Sequence, residues 1–232
     1  MKNRIGLFWI LCLTLVGTSL APAQEGSVKP GINEKFLDPK LKVTEWLNKF
    51  ETESREIFTA RLKILEACQI KPGDRIADVG AGTGLYTQLF SDKVGADGWV
   101  YAVDINARFL EHIQRQAKAK QRGNITTVLC PQDSIALPPN SVDLIFVCDT
   151  YHHFEFPHTT LPTIYSALRP GGSLVVIDFE RIEGVSREWV VNHVRAGKPV
   201  FQKEILEAGF VLKEEVEIEE LKENYFLRFT KS

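Results

Sequence analysis

Three glycines within five residues, Gly80, Gly82 and Gly84, mark the stretch best suited to chemistry. They sit inside RIADVGAGTGLYTQLF, residues 75–90, where alternating β-formers give way to glycine and then to helix-forming residues. That order predicts a strand, a tight turn and a helix. Glycine takes positive φ without strain and lets a ligand approach bare backbone. Amides at the head of the next helix point toward whatever lies over the turn. Asp78 stands just before the glycines, with its carboxylate toward the same crevice. Asp104 follows twenty residues past Gly84, at the end of the next predicted strand, suited to accept hydrogen bonds from both hydroxyls of a ribose. Any adenosine-containing cofactor would fit that pair. The spacing G-x-G-x-G departs from the G-x-G-x-x-G of nicotinamide and flavin sites, whose third glycine would fall on Leu85.

The elements that must hold these residues can be read from the same chain. Strands are predicted at 75–79, 99–103, 124–130, 142–148 and 173–179, with helices over 107–121 and in the later part of 150–168. The run VDLIFVC, 142–148, is almost continuously apolar, as in a strand covered on both faces. The segment Arg169-Pro170-Gly171-Gly172 should end the preceding helix. Alternating strands and helices predict a doubly wound, mostly parallel α/β sheet. After a helix at 199–208, two strand candidates at 210–218 and 225–230 lie too close for a crossover, so they should pair antiparallel. Before the first strand, residues 39–70 predict a helical arm of two helices, with 52–56 a charged helical turn, packed over an edge or the mouth of the crevice.

Residues 1–23 have the pattern of an export signal. Lys2 and Arg4 precede an uncharged apolar run at 5–20, followed by Ala21-Pro22-Ala23. Sixteen residues fall short of the roughly 20 that span a bilayer. Cleavage and release to a bacterial periplasm is the expectation, and an uncleaved membrane anchor is the alternative. Residues 24–69 are then a polar linker plus the arm, and 70–232 the main domain, with an insertion at 180–198. The formal net charge of -2 argues against a nucleic-acid-binding surface. The acidic stretch 213–223 suits a solvated strand face. Cys12 lies in the leader, and Cys68, Cys130 and Cys148 end separate elements, as buried small hydrophobes would. No C-x-x-C spacing occurs, and no metal site is expected.

Six motifs in order, VGAGTG, AVDI, QDSIALP, SVDLIF, YHHF and LRPGG, resemble the class I S-adenosylmethionine-dependent methyltransferases, especially their small type 11 domains. The resemblance covers roughly residues 70–179. It implies a Rossmann-like seven-stranded sheet, mostly parallel with an antiparallel C-terminal strand, and S-adenosylmethionine as cofactor. By the same resemblance Asp78 and the backbone of Gly80, Ala81, Gly82, Thr83 and Gly84 would hold the methionine portion. Asp104 would hold the ribose, with Ile105 beside the adenine. Asp133 would meet the adenine amine and Ser134 its neighbouring backbone site. Asp149 would stand near the methionine ammonium. Capping of the following helix is the structural alternative for Asp78 and Asp104.

In-line transfer of a methyl group needs mainly alignment and exclusion of water, with a general base where the acceptor is weakly acidic. His152 and His153 are the candidates for that base, since histidine titrates near neutrality; packing is the alternative. Acceptor contacts should come from outside the minimal domain: Tyr151, the arm around Glu53 and Arg55, and the insertion with Trp189, His193, Arg195 and Lys198. Tyr225 is a further candidate. Such a pocket would suit an anionic or aromatic small molecule, with no nucleic acid and no stable membrane span. A non-catalytic binding protein of the cell envelope, retaining S-adenosylmethionine or S-adenosylhomocysteine, is the second reading, and a dehydrogenase the third.

Overall fold

The computed structural model describes residues 26–52 and 55–231. The export signal, Cys12, Glu53 and Ser54 lie outside the described residues. Seven strands form one sheet in the order β3-β2-β1-β4-β5-β7-β6. They are β1 (Arg75–Val79), β2 (Trp99–Asp104), β3 (Ile125–Leu129), β4 (Val142–Cys148), β5 (Leu168–Phe179), β6 (Phe210–Glu215) and β7 (Asn224–Lys231). The first five run parallel, while β7 is antiparallel to both β5 and β6. This is the doubly wound architecture expected from the alternating elements. The strand order reverses direction between β1 and β4, so their C-terminal ends open a crevice, where sheets of this type bind ligands.

Successive side chains of a strand point to opposite faces, and the core divides accordingly. Ala77, Ile145 and Val176 pack on one face with Leu161, Phe201 and Phe229. Their neighbours Ile76, Phe146 and Ile177 pack on the other with Ile64, Phe90 and Phe226. The helices on these faces are α4 (Leu85–Val94), α5 (Ala107–Ala119), α6 (Pro157–Ala167) and α8 (Lys198–Glu207).

Several boundaries differ from expectation. The arm is three short helices, α1 (Val43–Phe50), α2 (Glu56–Thr59) and α3 (Arg61–Ala67), and residues 51 and 52 are bends where a helical turn was expected. The insertion, whose centre at 186–196 reads as a helix in the sequence, holds only a six-residue helix, α7 (Glu188–His193). The LRPGG segment begins β5 rather than preceding it; pairing steps from Val142↔Leu168 to Leu144↔Ser173, so the extra residues bulge out of register. The acidic stretch is not simply solvated. Glu214 pairs with Arg228, which is buried and also donates to the carbonyls closing α3. Cys68 is buried, whereas Cys130 and Cys148 are only half-buried and face the crevice.

The largest revision concerns residues 26–38, whose first part, up to Asn33, was expected as linker. They form a strap across the crevice. Ser27 Oγ donates to Glu155 at 2.6 Å, and the Val28 amide to the Glu155 carbonyl at 2.9 Å. Asn106, which caps α5, donates its side-chain amide to the carbonyls of Phe36 and Asp38. Polar side chains of the core domain thus hold the strap at both ends, and Phe36 packs on Trp46 at 4.7 Å.

Candidate active site

A cavity of about 1090 Å³ lies over the C-terminal ends of β1, β2 and β4 and under the strap and arm. One end is built by the glycine turn. Gly80, Gly82 and Gly84 all have positive φ, at 73°, 53° and 86°. A Cβ on Gly80 would strike Thr150 Oγ1 at 2.4 Å, and one on Gly82 would fill the gap to the Phe50 ring at 3.4 Å. Gly84 does not line the cavity: it precedes α4, where a Cβ would meet Ile113 at 2.6 Å. Its glycine serves packing.

Asp104 ends β2 with one carboxylate oxygen accepting from the Gly82 amide at 2.9 Å and the other from the Asn106 amide at 2.8 Å. It therefore ties the turn to the next strand and does not cap α5, a role taken by Asn106. Burial raises its carboxyl to about 6, against the pull of those amides. Asp78 accepts from Thr87 Oγ1 at 2.5 Å and is pushed up to about 7, chiefly by burial. Both carboxylates line the cavity, as do Ala81, Thr83, Ile105 and Ser134. Asp133 is exposed and outside the wall, because the loop after β3 turns Ser134 and Ile135 inward instead.

Asp149 follows β4 with a left-handed φ of 47° and lines the cavity. It is bound by Arg55 from the arm and accepts from Asn224 Nδ2 at 2.6 Å. Burial raises it to about 6, with the Arg55 charge opposing. Arg55 thus reaches the cavity as expected, with Phe50 beneath its guanidinium at 5.4 Å.

The other end is aromatic. His152 and His153 occupy a 3₁₀ turn, Tyr151–His153, and His193 reaches them from α7 with Trp189 stacked on it at 4.7 Å. His152 lies against Asp178 on β5: Nδ1 is 2.8 Å from one carboxylate oxygen, and the His152 amide donates to the other at 3.0 Å. Its Nε2 is buried and without a partner. Burial holds His153 down to about 2 and His193 to about 4, with neighbouring positive charge adding to it.

Four expected acceptor contacts, Tyr151, Arg195, Lys198 and Tyr225, are not in the cavity. Tyr151 is fully buried beneath it, donating to Glu204 Oε2 at 2.9 Å. Arg195 completes that network, paired with Glu204 at 2.6 Å and stacked over Phe201. Tyr225 is buried on β7. Each turns inward because the elements after β5 fold back as a packing layer. Lys198 pairs with Glu180 and Glu215 instead of lining the cavity. Sequence reasoning missed Asn33, Phe36, Gln132, Asp178 and Asn224. Asp178 carried the one available signal, a carboxylate near the end of a predicted strand.

Residues 77–176 match the family model described as a methyltransferase domain. A solved S-adenosylmethionine-dependent methyltransferase from Aquifex aeolicus superposes with a TM-score of 0.72 at 25% identity, covering 83% of this chain and 100% of that one. Residues 77–176 thus match a methyltransferase domain, set in a sheet with the fold of S-adenosylmethionine-dependent methyltransferases. Over 120 residues that domain is 28% identical to the ubiquinone/menaquinone biosynthesis C-methyltransferase UbiE of Hydrogenovibrio crunogenus, covering 51% of this chain and 47% of the relative. The chain thus spans about half the length of the curated relatives it matches. The domain also shares its fold with phosphoethanolamine N-methyltransferase 2 of Haemonchus contortus, solved with S-adenosyl-L-methionine, at 19% identity and a TM-score of 0.60 over 76% of this chain and 46% of that one.

The cofactor of this domain class is S-adenosylmethionine, and the glycine end suits it. The gap a Gly82 side chain would fill leaves bare backbone. The carboxylate of Asp104 stands beside it, next to the apolar Ile105. Hydroxyls, an ammonium and an adenine ring each find a matching surface there. No described helix is long and apolar enough to cross a membrane.

Proposed function

We propose that this protein is an S-adenosylmethionine-dependent methyltransferase acting on a small aromatic or anionic acceptor. The observation that supports the reading is the bond from the Gly82 amide to Asp104, which fixes a carboxylate against bare turn backbone inside one cavity. Bound there, S-adenosylmethionine supplies a methyl group already activated by its sulfonium.

The protein's own residues then have three tasks. Asp104 accepts from the ribose hydroxyls, and Asp149 sits at the end of β4 facing the region of the ammonium. Arg55, now paired with Asp149, is placed to take a carboxylate of cofactor or acceptor. The strap and arm exclude water over the reacting centre, where Phe36 and Phe50 line the mouth. At the aromatic end His152 Nε2 is the available lone pair, with Asp178 behind the ring fixing its tautomer, so it can accept a proton from the acceptor. His153 is the weaker candidate, because its Nε2 already faces His193 at 3.3 Å.

We also infer export through residues 1–23, from Lys2, Arg4, the apolar run and Ala21-Pro22-Ala23. A mature N-terminus near Gln24, read by mass spectrometry of secreted protein, supports this; an intact Met1 overturns it.

Calorimetry with S-adenosylhomocysteine and with NAD tests the cofactor. Binding of the first and not the second is expected, and the reverse outcome sinks the assignment. Methyl transfer from labelled S-adenosylmethionine into pools of small phenols, thiols and carboxylates tests the activity. Tight binding with no transfer to any pool would favour a sensor over an enzyme.

A further inference from the structure

Three imidazoles meet at the aromatic end of the cavity. His152, His153 and His193 each offer a ring nitrogen, and these atoms lie within 4.8 Å of one another, the one such cluster among the described residues. Their ring centroids are 4.3, 5.0 and 5.1 Å apart. Only His193 comes from outside the turn, forty residues further along the chain.

The hydrogen bonds around the rings fix where the protons are. A carboxylate can only accept, so Asp178 requires the proton of a neutral His152 to sit on Nδ1, leaving Nε2 a bare lone pair. That nitrogen is buried, unpartnered, and on a residue 2% exposed. Asn33 donates its side-chain amide to Gln132 Oε1 and to the His153 carbonyl, so its oxygen must accept. It faces His153 Nδ1 at 3.2 Å, which places that proton on Nδ1 as well. His153 Nε2 is therefore a second lone pair, and it points at His193 Nε2 from 3.3 Å. Two of three rings thus present lone pairs within one cluster, each with its far nitrogen held by an oxygen.

We propose that His152, His153 and His193 form a binding site for a divalent transition metal ion, zinc or a metal of similar preference. Tetrahedral Zn–N bonds of about 2.0–2.1 Å put ligand nitrogens about 3.3 Å apart, the separation already found between His153 and His193. Loading requires His193 to carry its proton on Nδ1 and the pair to close on His152 by side-chain rotation. Asp178 and Asn33 are the outer partners that orient ligating imidazoles and raise their basicity. Three protein nitrogens leave a fourth position open, and it faces the cavity beside Trp189 and Phe179. An anionic oxygen or sulfur donor on the small-molecule ligand is the chemistry that position would take. In the loaded protein His152 is a ligand and no longer a proton acceptor. The site stands on the histidine geometry, independently of methyl transfer.

The test uses the full chain, stripped with chelator and titrated with zinc alone by calorimetry and with cobalt alone by visible absorption. One equivalent of each is expected, with cobalt giving the intense bands of a tetrahedral nitrogen site. His193→Ala, a change on the cover helix, should weaken zinc by at least about 100-fold, and Asn33→Ala by about 10-fold. His112→Ala, on a histidine remote from the cluster and bonded to Gln116, should leave zinc affinity unchanged. S-adenosylhomocysteine binding by each variant reports that it is folded and reads the cofactor end separately. No zinc or cobalt uptake by the wild type overturns the proposal. So does equal zinc affinity in the wild type and in a His193→Ala protein that still binds S-adenosylhomocysteine.

Discussion

The two ends of the cavity are assembled in opposite ways. The glycine end comes from two short, neighbouring stretches, residues 78–87 and 104–106, joined by parallel pairing of β1 with β2. The histidine end gathers Asn33 from the strap, His152 and His153 from the turn after β4, Asp178 from β5 and His193 from the insertion. The first is a local solution, in which backbone conformation does most of the work. The second exists only when four separated segments are in place. A ligand end that depends on turn geometry tolerates changes elsewhere; one that depends on long-range packing does not.

Removing a charge beneath the histidine end should give the largest effect. Glu204 is held by both Arg195 and the Tyr151 hydroxyl, directly under the turn that carries His152 and His153. Glu204→Gln leaves Arg195 buried and unpaired, and stability measured by urea unfolding should fall by about 3–5 kcal/mol. The folded variant should still bind S-adenosylhomocysteine within about twofold of wild type, since the sites are separate. A parallel loss of cofactor affinity would mean that the two ends are one cooperative unit.

The reciprocal change is Asp104→Ala. Calorimetry should show S-adenosylhomocysteine weakened by at least about tenfold, the loss of a charge-assisted hydrogen bond to the ribose, with zinc uptake unaffected. Unchanged affinity would remove the ribose assignment.

The same carboxylate gives a pH signature of similar size. Its folded value near 6 means that it is mostly ionised at pH 7 and mostly protonated at pH 5. Only the ionised form accepts from both hydroxyls, so S-adenosylhomocysteine affinity should drop by about tenfold from pH 7 to pH 5. Burial raises this carboxyl above its unfolded value, so the group favours the folded state at acid pH and loses that contribution as pH rises through 6. A binding profile flat across this range would show that Asp104 does not face the ligand.

The smallest effect concerns the arm. Phe50 closes on the glycine turn, packed against Trp46 and Phe109 at 5.1 and 6.4 Å. Phe50→Ala should lower cofactor affinity by only about threefold, as lost apolar cover on a partly exposed ring. A loss as large as that of Asp104→Ala would make the arm part of the glycine end rather than its cover.

How much could be read in advance follows the same division. The order of strands and helices, the antiparallel ending and the glycine turn were legible, because hydrophobic period and glycine placement are local signals. So was the place of Asp104, since strand and turn lengths set where it falls. The inward turns of Tyr151, Arg195 and Tyr225 were not, because a polar side chain reads the same in sequence whether it faces a ligand or a buried partner. The strap was read as linker for a related reason: Ser27 and Asn33 are ordinary loop residues until Glu155 and His153 are beside them.

The sequence alone determined the fold class, the bare backbone at residues 80–84 and the carboxylate that stands against it, because steric and periodic constraints act between near neighbours. Only the tertiary structure decided that His193 meets His152 and His153, that Asp178 and Asn33 set their protons, and that Arg55 reaches Asp149. Those meetings depend on how distant segments pack on one sheet, and no spacing along the chain encodes such distances.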